Sequence, residues 1–187
     1  MTADRLLKRL FTVEEYYKMA EAGILTEANR VELIDGEIVG MTPIGSRHAA
    51  CVDRLTRLFV SRLGPRSIVR VQNPVRLGEY SEPQPDVTLL KPRPDFYAEA
   101  HPTPQNVLLL VEVADTSTEY DRGVKLPLYA RAGILEVWLV LLSDERVEIY
   151  RQPSPQGYGE VRRVGRGASL ASVELPELVV AVDEVLG

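Results

Sequence analysis

Pro85-Asp86-Val87-Thr88-Leu89-Leu90, then Val107-Leu108-Leu109-Leu110-Val111-Glu112-Val113, then Asp121, Lys125 and Tyr129 make up the stretch from which the fold is read. The first two segments are apolar runs of strand length, each with a carboxylate at one end. Continuous apolar runs of this kind suit strands covered on both faces. The third segment reads as a helix through Lys125 and Tyr129 to Ala132, with Gly133 as its C-terminal stop. Strand, strand and helix in that order bring two carboxylates and an ammonium to one edge of a sheet.

Upstream, Thr12-Val13-Glu14-Glu15 has the spacing of a capping box and opens a short helix to about Ala22. Asp35-Gly36 lies between the apolar runs Arg30–Ile34 and Glu37–Met41, a strong hairpin signal. Ser46 is placed to cap a helix to about Leu63, with Ala49, Val52, Leu55, Phe59 and Leu63 as its core stripe. Arg54, Arg57 and Arg62 fall off that stripe, as a solvated basic face or as a phosphate-contacting one. Ser67 to Leu77 reads as one long strand with Val69, Val71, Val75 and Leu77 on a single face, and Pro74 marks an edge or a bulge. Lys91 to Gln105, rich in proline, reads as a surface excursion. It contains a second Pro-Asp pair, Pro94-Asp95, with no strand behind it to hold the carboxylate.

Downstream, Leu135–Leu142 with Trp138 reads as a buried strand, and Ser143-Asp144 turns it into a hairpin with Arg146–Arg151. Pro153–Gly159 reads as a loop, Glu160–Val164 as an edge strand and Val173–Val182 as a closing strand or turn. The alternation from Ser46 onward implies an α/β domain, a mixed central sheet flanked by helices, with an extra N-terminal hairpin and C-terminal strands.

At 187 residues, with 45% hydrophobic and 26% charged residues, the chain has the size of one domain spanning residues 1–187 and a sizeable core. No apolar run approaches the roughly 20 residues needed to span a bilayer. Charges interrupt the apolar residues of Met1 to Phe11, so no signal-peptide core is read there. The single cysteine, Cys51, excludes an internal disulfide, and a cytoplasmic location without membrane attachment is expected. The net charge of −5 is unevenly spread. Seven arginines and one acid between Ser46 and Leu77 give a local +6, leaving −11 elsewhere, a separation that permits an anionic ligand.

Phosphodiester hydrolysis needs an activated water, neutralised charge on the phosphoryl group and help for the leaving oxygen. A hard cation such as Mg²⁺, held by one or two carboxylates, can supply all three. Asp86 and Glu112 are the candidate ligands if their strands are neighbours, the Val113 carbonyl is a third, and Lys125 is the candidate for orienting or deprotonating the water. Each has a plainer reading: Asp121 and Lys125 are spaced for an i,i+4 salt bridge, Asp86 for capping a turn, and His48, the candidate general base, for a helix cap or surface position. Glu112, at the end of an apolar strand, must be solvated, paired or metal-bound.

Pro85-Asp86-Val87 followed by Val111-Glu112-Val113 resembles the PD-(D/E)XK nuclease superfamily, whose fold is that of restriction endonucleases. The wider set is similar to the Uma2 family: Leu10 to Tyr17, Arg30 to Ile38, His48, Tyr120 to Lys125, Tyr129, Ala132-Gly133 and Glu136-x-Trp138. That resemblance implies a restriction endonuclease-like fold and a Mg²⁺-dependent endonuclease, with Mn²⁺ as a substitute, acting on DNA. It implies Asp86 and Glu112 as metal ligands, Glu32 as a further acid and a homodimer as the assembly. Ala114 stands where the superfamily places its lysine, and the resemblance nominates Lys125 on the following helix instead. A protein that keeps the fold but only binds nucleic acid or protein is the alternative.

Overall fold

The apolar runs at Pro85 and Val107 lie side by side in a six-stranded sheet. The structure, a computed structural model, describes residues 8–26 and 28–187; most of the Met1–Phe11 reading lies outside them. Helix α1 (Val13–Glu21) leads to the hairpin β1 (Val31–Ile34) and β2 (Glu37–Gly40), then α2 (Ser46–Leu63), β3 (Ile68–Val71), β4 (Val87–Leu90) and β5 (Val107–Ala114). Next, α3 (Thr118–Tyr120), a π-helical turn (Asp121–Lys125) and α4 (Leu126–Ala132) follow one another without a break. The chain closes with β6 (Glu136–Leu141), β7 (Arg146–Ser154), β8 (Gly157–Gly165), β9 (Ser169–Ala171), β10 (Val179–Ala181) and α5 (Val182–Leu186).

The sheet order is β3-β4-β5-β6-β7-β8, antiparallel throughout except for the parallel pair β5–β6. That pair needs a crossover, and the α3–α4 segment supplies it. All eight residues of β5 are buried because it is central and covered on both faces. On one face α2 and α5 pack through Leu55, Phe59 and Val185 against Val87, Leu109, Val111, Val113 and Trp138. On the other, Leu126 and Tyr129 pack against Leu90, Leu110, Ala114 and Leu139. This is the expected mixed sheet flanked by helices, with the hairpin and the β9–β10 pair as additions.

The Thr12 capping box forms, Thr12 accepting from the Glu15 N–H and Glu15 from the Thr12 N–H. Asp35 and Gly36 both take positive φ, as a two-residue turn between twisted strands requires. Four readings are corrected. Ser46 is the first helical residue, and Gly45 holds the N-cap position. The strand expected over Ser67–Leu77 ends at Val71, because Gln72 turns to φ +50 ahead of Pro74. The break sends Val69 and Val71 to one core face and Val75 and Leu77 to the other; β3 is nevertheless an edge strand. The Pro153–Gly159 loop shrinks to a turn, since β7 and β8 pair out to Ser154 and Gly157. The closing segment gains α5, whose Val182 and Val185 cover the sheet. Among the described residues no helix is long and apolar enough to cross a membrane.

Candidate metal and phosphodiester site

Register brings the two carboxylates together. Val87 pairs with Val111 across the antiparallel β4–β5 ladder, so one further step places Asp86 opposite Glu112. The Asp86 N–H lies 3.4 Å from Glu112 Oε2, and the Val113 N–H donates to Asp86 Oδ2 at 2.8 Å. Strand alternation puts Glu112 on the same face as Leu110 and Ala114, beneath the crossover helix. From that helix Tyr129 donates its hydroxyl to Glu112 Oε1, and Lys125 Nζ approaches the same oxygen at 3.2 Å. Glu32, from β1, stands 3.5 Å from Lys125 Nζ and also accepts the Gln84 N–H at 3.0 Å.

The four side chains chosen from sequence, Asp86, Glu112, Lys125 and Glu32, thus meet in one place with the Val113 backbone beside them. They line a cleft of about 560 Å³. The spacing-based alternative for Lys125 is not what forms: its ion pairs are with Glu112 and Glu32, while Asp121 accepts from Ser117 Oγ at 2.6 Å. The π turn is the physical reason. A wider turn alters which side chains superpose from one turn to the next, and it turns Lys125 inward. The helical segment begins at Thr118. Pro127 is the second residue of α4, directly after the wide turn.

His48, from the first turn of α2, places Nε2 3.0 Å from Asp86 Oδ2. From sequence it reads as a cap or surface residue more readily than as a general base, although it belongs to the set that carries the family resemblance. Gln72 Nε2 lies 3.4 Å from Asp86 Oδ1, and nothing in the sequence singled it out. The decoy Asp95 is engaged by Arg93 at 2.8 Å, away from this cleft.

Electrostatics follow from burial. Desolvation pushes the Glu112 carboxyl up to about 8, against the pull of Lys125, and raises Asp121 as well. Burial works to lower Lys125, but Glu112 and Glu32 more than offset it, so the ammonium is held. The hydrogen bond to Asp86 raises His48. Burial lifts Tyr129 far above the usual phenol range, so it stays a donor.

The two carboxylates are engaged unevenly. Glu112 Oε1 has two close partners, while Oε2 has only the 3.4 Å contact with the Asp86 N–H. Asp86 Oδ2 likewise has two, while Oδ1 has only the 3.4 Å contact with Gln72. Each therefore keeps one lightly used oxygen at the cleft, a donor set that fits a hard divalent cation otherwise ligated by water. Among the described residues no group of three or more His, Cys, Asp or Glu side chains is arranged to hold a metal.

The Uma2 family, described as "Putative restriction endonuclease", matches residues 13–183. A comparison with curated proteins gives no match. Among solved structures, one described as a "putative nuclease belonging to DUF820 from Anabaena variabilis ATCC 29413" superposes with a TM-score of 0.72 at 15% identity, covering 94% of this chain and 97% of the other. At that identity the likeness speaks for the fold, while the family match extends over nearly the whole sequence. The chain therefore belongs to the Uma2 family, whose description is that of a nuclease.

Proposed function

We propose that the protein is a Mg²⁺-dependent endonuclease hydrolysing phosphodiester bonds of DNA, with Asp86 and Glu112 as metal ligands, the Val113 carbonyl beside them and Mn²⁺ as a working substitute. The observation that carries this reading is the pairing of Asp86 with Glu112 across the β4–β5 ladder, each with an oxygen to spare, and Lys125 held beside Glu112. A divalent cation there would supply Lewis-acid stabilisation of the phosphoryl oxygens and acidify a nearby water. The chain's own groups do the rest. Tyr129 fixes the rotamer of Glu112, and the Val113 N–H and His48 fix that of Asp86. Lys125, kept protonated by Glu112 and Glu32, acts as a fixed positive charge toward the attacking water and the phosphate, and not as the base that removes the proton.

Purified protein should nick or cut DNA with Mg²⁺ or Mn²⁺, and Asp86→Ala should abolish this; equal activity in the variant sinks the assignment. The alternative, a nuclease-fold binding module, draws on Ala114 at the usual lysine position. Titration calorimetry separates the two, since Mg²⁺ binding that is absent, or untouched by Glu112→Gln, favours the module. A homodimer belongs to the same proposal on family resemblance, and sedimentation velocity tests it.

A further inference from the structure

A second cavity, of about 680 Å³, adjoins the catalytic cleft, and Arg30, Gln72 and Gln84 belong to the walls of both. Its far wall carries Tyr16 and Tyr17, consecutive residues of α1 whose rings meet edge-on with centroids 5.8 Å apart. Both rings are anchored: Tyr16 donates to the Val31 carbonyl at 3.0 Å, and Tyr17 donates to Glu82 Oε1. They form a fixed aromatic wall in which the Tyr17 ring also stacks on His101, centroids 6.3 Å apart, while Tyr17 as a residue remains more than a third exposed.

Charge singles out the junction. The cleft is rich in carboxylates, among them Glu32, Asp86, Glu112 and Asp121, which repel a phosphate. Two of its basic side chains are committed, Lys125 to Glu112 and Glu32, and His48 to Asp86. Arg30 is the third. It is exposed, makes no ion pair among the described residues, and its backbone is pinned at the head of β1 by the Met41 N–H, which donates to its carbonyl at 2.8 Å. A guanidinium between a hydrolytic cleft and an aromatic-walled cavity has the layout that a phosphate flanked by a nucleoside requires.

We infer that the second cavity is a subsite for one unpaired nucleotide next to the scissile phosphate. Arg30 binds the connecting phosphate, and Tyr16 and Tyr17 provide the surface for the base. The inference rests on the nuclease reading and adds strand preference to it. The volume is that of a small-molecule pocket, of the order of 300–1,000 Å³. It admits a single nucleotide, so the base must come from a single strand or leave the duplex stack.

The test is binding of a short fluorescein-labelled single-stranded DNA to the full chain, followed by anisotropy with Ca²⁺ in place of Mg²⁺, alongside the same sequence as a blunt duplex. The single strand should bind more tightly. Tyr17→Ala should weaken that binding by about tenfold, the scale of losing one base–aromatic stack, and Tyr17→Phe should restore it. Arg30→Ala should weaken it and lower the slope of log affinity against log salt by about 0.7. Equal affinity for duplex and single strand overturns the inference, as does an Arg30→Ala protein that binds like the unaltered one. Cleavage measured in parallel keeps the two ideas apart. If DNA is cut but Tyr17→Ala and Arg30→Ala leave binding unmoved, the subsite alone falls. If binding responds as stated but no metal supports cleavage, the nuclease reading alone falls.

Discussion

Lys125 answers to two carboxylates from different parts of the chain, and nearly all of it is buried with them. Removing its charge leaves Glu112 and Glu32 buried without their shared cation. Lys125→Met should therefore cost about 3 kcal/mol of stability by denaturant titration, the scale of breaking a buried ion pair. It should also lower Mg²⁺-dependent cleavage by about a hundredfold. A stable variant with full cleavage would remove Lys125 from the site. Glu112 supplies a pH test. Its carboxyl is raised from 4.5 in the unfolded chain to about 8, so its contribution to stability is complete below about pH 4.5 and is lost as pH rises through about 8. The thermal midpoint of the metal-free protein should fall between pH 5 and pH 8.5 by more than that of Glu112→Gln, and Mg²⁺ should reverse the fall at pH 8.5. Parallel pH slopes in the two proteins would contradict a buried, proton-binding Glu112. At this scale the sequence was informative about acids and less so about their partners. A carboxylate in an apolar strand stands out by its desolvation cost, whereas His48 is marked only by the family resemblance and Gln72 by nothing until the chain brings them to Asp86.

The elements differ in how far local pattern determined them. β4 and β5 are apolar but for Thr88 and Glu112, are buried along their whole length, and could hardly lie anywhere but the middle of a sheet. The π turn carries no comparable signature. Asp121, Lys125 and Tyr129 have ordinary helical spacing, and the wider turn that brings Lys125 to Glu112 and Glu32 shows only in the structure. Likewise nothing periodic marks where β3 stops, since Val75 resumes the apolar alternation after Gln72 has turned the backbone. The β1–β2 hairpin, by contrast, was legible from Asp35-Gly36 alone. It has a strict requirement: Gly36 holds φ +79, and a Cβ there would lie 2.6 Å from that of Leu10. Gly36→Ala should cost about 2 kcal/mol, a midpoint drop of about 6 °C. Because β1 carries Glu32, the substitution should also weaken Mg²⁺ binding measured by calorimetry. An unchanged midpoint would show that the turn is not held as described.

For the molecule as a whole, the acidic average concealed how its arginines are spent. Arg54 donates to the Val185 and Leu186 carbonyls, Arg62 pairs with Glu184 and Arg66 with Glu177, so much of the local +6 secures the C-terminal segment instead of greeting a phosphate. That use was invisible in the sequence, because the missed helix α5 is what Arg54 and Arg62 hold. The architecture itself was readable, since alternating helices and strands leave few ways to cover a sheet. One sheet separates the two apolar clusters, and both need it. The proposed single domain should accordingly melt in one calorimetric transition with equal calorimetric and van't Hoff enthalpies. Two resolved transitions would divide it.

The contact between Glu32 and Lys125 also has a meaning in time. A chain emerging from its N-terminus presents the hairpin first, the two strand carboxylates next and the lysine only afterwards. β6, the partner of β5 on its far side, comes later still. Under the proposed function, hydrolytic capacity therefore arrives with completion of the fold, and an unfinished chain poses no threat to the nucleic acid around it.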